Sequence, residues 1–164
     1  MKKDSTKLLQ DIAVFLLAAP DSPATVKSAV EMVGTERGYR WVGVYKIVRS
    51  DFVIIAGTGS EPPTYARFPT NQGLCGAVAE SRETLIVEDV RKDPRWLPAF
   101  WTTLSEIVVP IIAEENSRLV GILDVESDKL NAFNDDDRDF LEHVAVLLAG
   151  KCAAKKKKQN AAAG

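Results

Sequence analysis

Polar residues interrupt the apolar run of the first twenty positions, MKKDSTKLLQDIAVFLLAAP, at helical spacing. That pattern predicts an amphipathic helix from Thr6 to about Ala19, capped by Ser5 and stopped by Pro20. A second helix is announced by Ser22-Pro23, an N-cap followed by a proline at the first helical position. Val26, Ala29, Val30 and Val33 then repeat at helical spacing as far as Gly34 or Gly38. From Tyr39 the period changes to two: Trp41, Gly43 and Tyr45 alternate with Val42, Val44 and Lys46, as in a β-strand. Arg49-Ser50-Asp51 turns the chain into a partner strand over Phe52 to Ala56.

A polar, proline-bearing loop is expected from Gly57 to about Thr70, a short helix from Gly73 to Glu80, a strand at Leu85 to Val87 and a tryptophan-rich loop or short helix from Asp93 to Thr103. Ser105 to Ser127 reads as two strands. Asn134 caps a last helix whose first turn, Asp135-Asp136-Asp137, carries acids where the helix dipole favours them, with Phe140, Leu141, Val144, Leu147 and Leu148 as its apolar stripe. Helices packed on an antiparallel sheet make an α+β fold. No βαβ alternation or G-x-G-x-x-G turn supports a dinucleotide fold.

The two strands of SEIVVPIIAEENSRLVGILDVES hold three acids, Glu106, Asp124 and Glu126, in otherwise apolar runs. Asp124 and Glu126 are two apart and share a face. A three-residue turn at Glu115-Asn116-Ser117 sets Glu106 opposite Glu126 and gathers the acids at one end of that face, above Val108, Pro110, Ile112, Val120 and Ile122. A carboxylate in apolar surroundings is costly unless paired or hydrogen-bonded, and few cations lie nearby in sequence. The acids either accept hydrogen bonds from backbone amides at loop starts or meet a cationic ligand. Hard cations such as Ca²⁺ also use carboxylates, but there is no D-x-D-x-D-G loop, and the one histidine, His143, belongs to the last helix; no metal and no cofactor is expected.

At 164 residues, one domain over 1–152 is expected, followed by a flexible lysine-rich tail, 153–164, holding Lys155 to Lys158. A net charge of -2 gives no global attraction to nucleic acid, and no apolar run is long enough to span a membrane. Two cysteines, Cys75 and Cys152, do not suggest a disulfide framework, so the expected location is the cytoplasm.

Taken in order, WVGVY, NQGLCGAVAE, IVEDV, SEIVVPI, LVGILDVES and FNDDDRDFLEHVA resemble the GAF domain over about residues 8–150, and their spacing is most similar to the free methionine-(R)-sulfoxide reductases of that superfamily. The resemblance implies a six-stranded antiparallel sheet with terminal helices on one face, a ligand pocket on the other, and a homodimer through the helices. It also implies three cysteine positions, filled here by Tyr65, Cys75 and Ala99. Sulfoxide reduction needs an attacking thiolate and a resolving thiol, and neither tyrosine nor alanine supplies one. The pocket half of the pattern is retained: Glu106, Asp124 and Glu126 match acids around the substrate's amino group, and Trp41 and Tyr45 match its aromatic wall.

Trp96, Phe100 and Trp101 either plug a core or close over a ligand. Cys75, at a helix start, is either a small packing residue or a reactive thiol. Two functions follow. One is a stand-alone sensory domain that binds a small molecule, such as a free amino acid or amine, at Trp41, Tyr45, Trp96, Trp101, Glu106, Asp124 and Glu126, without catalysis, and signals through a dimer or a partner protein. The other is a divergent reductase using Cys75.

Overall fold

The computed structural model describes residues 3–153; beyond Ala153 the lysine-rich tail lies outside the described residues. The order is α1 (Lys3–Ala18), α2 (Pro23–Arg37), β1 (Trp41–Val48), β2 (Asp51–Gly57), β3 (Arg67–Pro69), α3 (Gly73–Ser81), β4 (Leu85–Val87), β5 (Ser105–Ala113), β6 (Arg118–Ser127) and α4 (Asp135–Cys152). A single 3-10 turn, Val90–Lys92, follows β4. The strands form one sheet in the order β3-β2-β1-β6-β5-β4, with every neighbouring pair antiparallel. This is the expected α+β architecture.

Period-two patterning divides the apolar residues between two cores. Val42, Val44, Ile107, Ile111 and Leu123 point to one face, where they pack with Ile12, Val30 and Phe140 of α1, α2 and α4. Trp41, Tyr45, Phe52, Val108 and Ile122 point to the other, with Leu74, Cys75 and Val78 of α3. The caps fix where the helices lie. Ser22 accepts a hydrogen bond from the Thr25 amide ahead of Pro23, and Gly38 ends α2 in the left-handed region at φ 69°. Asn134 and Asp137 form a capping box on α4.

Asp137 does more than cap. Its Oδ1 accepts from Arg37 Nη2 at 2.7 Å and from the Tyr39 hydroxyl at 2.6 Å, while Arg37 Nη1 donates to Ser5 Oγ at 2.8 Å and the guanidinium lies 4.7 Å from the centre of the Phe140 ring. Burial pulls the Arg37 pKa down, but the hydrogen bonds to Asp137 and Tyr39 outweigh it. One cation therefore ties α1, α2 and α4 together behind the sheet.

Four expectations need correction. Ser5 does not cap α1: the helix already runs from Lys3, and Ser5 is buried within it as the acceptor for Arg37. The loop between Gly57 and Thr70 contains β3, whose Phe68 is register partner to Phe52. The turn between β5 and β6 has four residues, Glu114 to Ser117, because Ala113 pairs with Arg118. A bulge at Val120 compensates: Ile112 pairs with Leu119 and Ile111 with Gly121. Val120 accordingly faces the helices, and Leu119 takes its place on the acid side.

Candidate functional site

The two deviations in that hairpin cancel, so Glu106 is the register partner of Glu126, with Asp124 opposite Val108. All three acids are almost wholly buried, at 3%, 3% and 1% exposure for Glu106, Asp124 and Glu126. β1 lies along the other edge of β6 and pairs Trp41 with Glu126 and Gly43 with Asp124. The Trp41 indole lies flat on its own strand, over the facing glycines of β1 and β2. A Cβ added to Gly43 would come within 2.0 Å of the ring, and one at Gly57 within 3.0 Å. Phe100 meets the indole edge-on at 5.1 Å, and Phe68 meets Tyr45 in the same way at 5.3 Å.

Helix α3 brings Cys75 to the acids. Its Sγ and one carboxylate oxygen each from Glu106 and Asp124 lie within 4.8 Å of one another. The Glu106 and Asp124 carboxyls are close enough to shift each other's pKa, and Thr103 donates its hydroxyl to Glu126 Oε2. Burial leaves other atoms unserved: Glu106 Oε2, Asp124 Oδ1 and the indole nitrogens of Trp41 and Trp96 have no hydrogen-bond partner. Trp96 is close enough to lower the Glu106 pKa, yet its N–H completes no hydrogen bond. Orphaned buried polar atoms are rare in folded proteins, and four belong to this one face.

Electrostatics follow from burial. It pushes Asp124 up to about 7 against the opposing influence of the neighbouring Glu106 carboxyl. It pushes Glu126 up to about 8, reinforced by Asp124 and opposed by Thr103 and Arg40. Glu106 is held well above the usual carboxylate range by burial, then by Asp124 and Glu126. Cys75 rises for the same reasons, which keeps its thiol protonated.

Between these groups lies a cavity of about 10 Å³, lined by Tyr45, Tyr65, Phe68, Gly73, Leu74, Cys75, Leu97, Ala99, Glu106 and Asp124. That is the room of about one water molecule. Its cover is tied down at two places. The Ala99 carbonyl accepts from both the amide and the hydroxyl of Thr64 at 2.8 Å. Arg40 Nη2 donates to Thr102 at 2.7 Å, with the guanidinium 5.0 Å from the centre of the Phe100 ring.

Of the residues singled out in the sequence, Trp41, Tyr45, Glu106, Asp124 and Glu126 come together on one buried face. Trp96 packs partly buried against it. Trp101 does not reach the cavity; it is 75% exposed, with its ring 6.4 Å from that of Trp96. Tyr65, Cys75 and Ala99, the positions where the resemblance implies cysteines, line the same cavity. Cys152 lies in the opposite core, against the helices. Sequence reasoning missed Thr103 and Arg40, which oppose the upward shift of Glu126, and the approach of Cys75 to the acids. The first two adjoin the S-E-I-V and W-V-G-V motifs; the third is visible only once α3 is folded onto the sheet.

The sequence matches the GAF domain over residues 21–151. It is 30% identical over 141 residues to GAF domain-containing protein A of Dictyostelium discoideum, covering 86% of this chain and 87% of that protein. It is 34% identical over 116 residues to the free methionine-R-sulfoxide reductase of Saccharomyces cerevisiae, covering 70% of this chain and 64% of that one. Among solved structures, the type II free methionine-R-sulfoxide reductase of Thermoplasma acidophilum superposes with a TM-score of 0.75 at 25% identity, covering 86% of this chain and 94% of that one.

Proposed function

The chain belongs to the GAF domain family, and from that premise we propose that it is a sensory domain whose acid-lined face binds a small cationic or zwitterionic molecule such as a free amino acid or an amine. The observation that carries this reading is the set of orphaned polar atoms. Glu106 Oε2 and Asp124 Oδ1 are acceptors without donors, and the Trp41 and Trp96 indoles are donors without acceptors. An ammonium group supplies donors to the first pair and charge to a cluster that burial otherwise holds protonated. A carboxylate on the same molecule would accept from the second pair.

Entry requires the cover over Leu97 to Thr102 to move, because the closed cavity admits nothing larger than a water. The exposed apolar side chains of the outer helices, Val14 and Leu17 on α1 and Val146 on α4, offer a surface through which occupancy would be read by a second copy or a partner. Among the described residues no helix is long and apolar enough to cross a membrane.

The test is a thermal-shift screen of amino acids, amines and small anions. A ligand at about 100 times its dissociation constant adds about 2.7 kcal/mol of stability. Glu106→Gln and Asp124→Asn should abolish the shift; a shift surviving both would place the ligand elsewhere.

The reductase reading draws on the yeast relative and on the convergence of Tyr65, Cys75 and Ala99. The cycle needs a second thiol, and Cys152 is across the sheet. Thioredoxin-coupled NADPH oxidation with free methionine sulfoxide decides between the two: turnover that Cys75→Ser abolishes would establish the enzyme.

A further inference from the structure

We propose that Cys75, Glu106 and Asp124 form a site for one divalent cation of the zinc type. This goes beyond the amine reading, since it uses the thiol and the closed form of the cavity. The three ligand atoms come from α3, β5 and β6 and lie within 4.8 Å of one another. Tetrahedral zinc, with bonds of roughly 2.0–2.3 Å, wants its ligands about 3.3–3.7 Å apart, so the ligand atoms close in by about 1.5 Å at most. Two of the three residues carry an oxygen with no partner, Glu106 Oε2 and Asp124 Oδ1; both residues are only 3% exposed and line the cavity, so unserved acceptors are already present where an ion would bind.

Size and chemistry select the ion. A cavity of about 10 Å³ admits a monatomic cation or one water, and no organic amine, without opening. Calcium takes six to eight oxygens and magnesium a near-ideal octahedron of them; two carboxylates and a sulfur suit neither. One thiolate with two carboxylates suits zinc, and a second oxygen of either carboxylate can complete the set without a water. On binding, the Cys75 S–H proton and any proton held by the carboxyls pass to buffer as the metal bonds form, and no redox change occurs. Metal and amine would then compete for the same carboxylates, the metal holding the closed form and the amine the open one.

Cobalt titration of the purified chain, in reducing buffer freed of metal, reads the thiolate directly through its near-ultraviolet charge-transfer band. The expected result is one cobalt per chain with that band, displaced by zinc, kept in Cys152→Ser, lost in Cys75→Ser, and needing roughly tenfold or more metal in Glu106→Gln and Asp124→Asn. Absence of the band at saturating cobalt in the wild-type chain overturns the site, even if Cys75→Ser fails to fold. A band that survives Cys75→Ser, or disappears in Cys152→Ser, overturns it too. The amine reading is tested separately, by its thermal shift in the presence of EDTA, and can stand or fail on its own.

Discussion

Cys75 and Cys152 lie on opposite faces of the sheet, the first in the core beneath α3 and the second in the core beneath the terminal helices. A disulfide needs Cα atoms within about 7 Å, and a whole layer of strands stands between these two. Mild oxidation of the native protein should therefore yield no intramolecular disulfide, and both thiols should resist alkylation until the chain unfolds. Intact-mass analysis after diamide treatment, with and without urea, checks this; an internal bridge formed under native conditions would revive the reductase reading.

The same separation suggests a gain-of-function test. Because Tyr65, Cys75 and Ala99 line one cavity, Tyr65→Cys together with Ala99→Cys would return thiols to the two positions where the resemblance places them. The expected outcome is thioredoxin-dependent reduction of free methionine sulfoxide by the double variant and none by the parent, read as NADPH consumption.

Stability should fall as pH rises through the acid cluster. Asp124 and Glu126 titrate at about 7 and about 8 in the folded chain, well above ordinary carboxylates near 4. Between those limits the folded state holds protons that the unfolded state has released. The penalty is absent below pH 4, grows across the interval and is complete above about 8. Melting curves from pH 5 to 8.5 should show this decline, and Asp124→Asn should flatten it. Loss of a buried carboxylate that leaves the slope unchanged would mean the acids ionise freely.

Gly43→Ala should cost about 3 kcal/mol or more in urea denaturation, because overpacking typically costs 1–3 kcal/mol and the new methyl here falls within 2.0 Å of the Trp41 ring. The substitution should also shift the tryptophan emission. A neutral result would mean that the indole has another resting place.

Asp137→Ala should destabilise by about 3 kcal/mol or more: it removes an N-cap partner and leaves the Arg37 guanidinium, 14% exposed, without its nearest carboxylate. A double-mutant cycle with Arg37→Ala measures the coupling, and additivity of the two changes would show the pair to be inert.

Much of this could be read from period and punctuation. Alternation grouped Trp41 with Tyr45 on β1 and the three acids on one face of β5 and β6, the family resemblance joined the two sets, and the caps at Ser22 and Asn134 marked their helices. The hairpin register came out right through two errors of opposite sign, a turn one residue too short and an unseen bulge at Val120, because the burial of Ile107, Val109 and Leu123 tolerates no slip. β3 is not legible in the sequence because three residues, one a proline, carry no periodicity; its pairing with β2 and the packing of Phe68, edge-on to Tyr45 and tilted against Phe52, make it a strand. Trp101 illustrates the opposite case, a large aromatic whose composition suggests a wall and whose position is outside. The meeting of Cys75 with Glu106 and Asp124 depends on how a helix docks on a sheet, which no local pattern encodes.

The glycine slot under Trp41 reaches further than the cavity. Gly57, half of that slot, gives its carbonyl to Lys27 of α2 at 2.8 Å, and Lys27 also holds Gly59 at 2.9 Å. Under the sensory reading, a guest that tilted the indole would press on a strand end already moored to the far layer of the molecule, and that mooring would be its path to the outer helices.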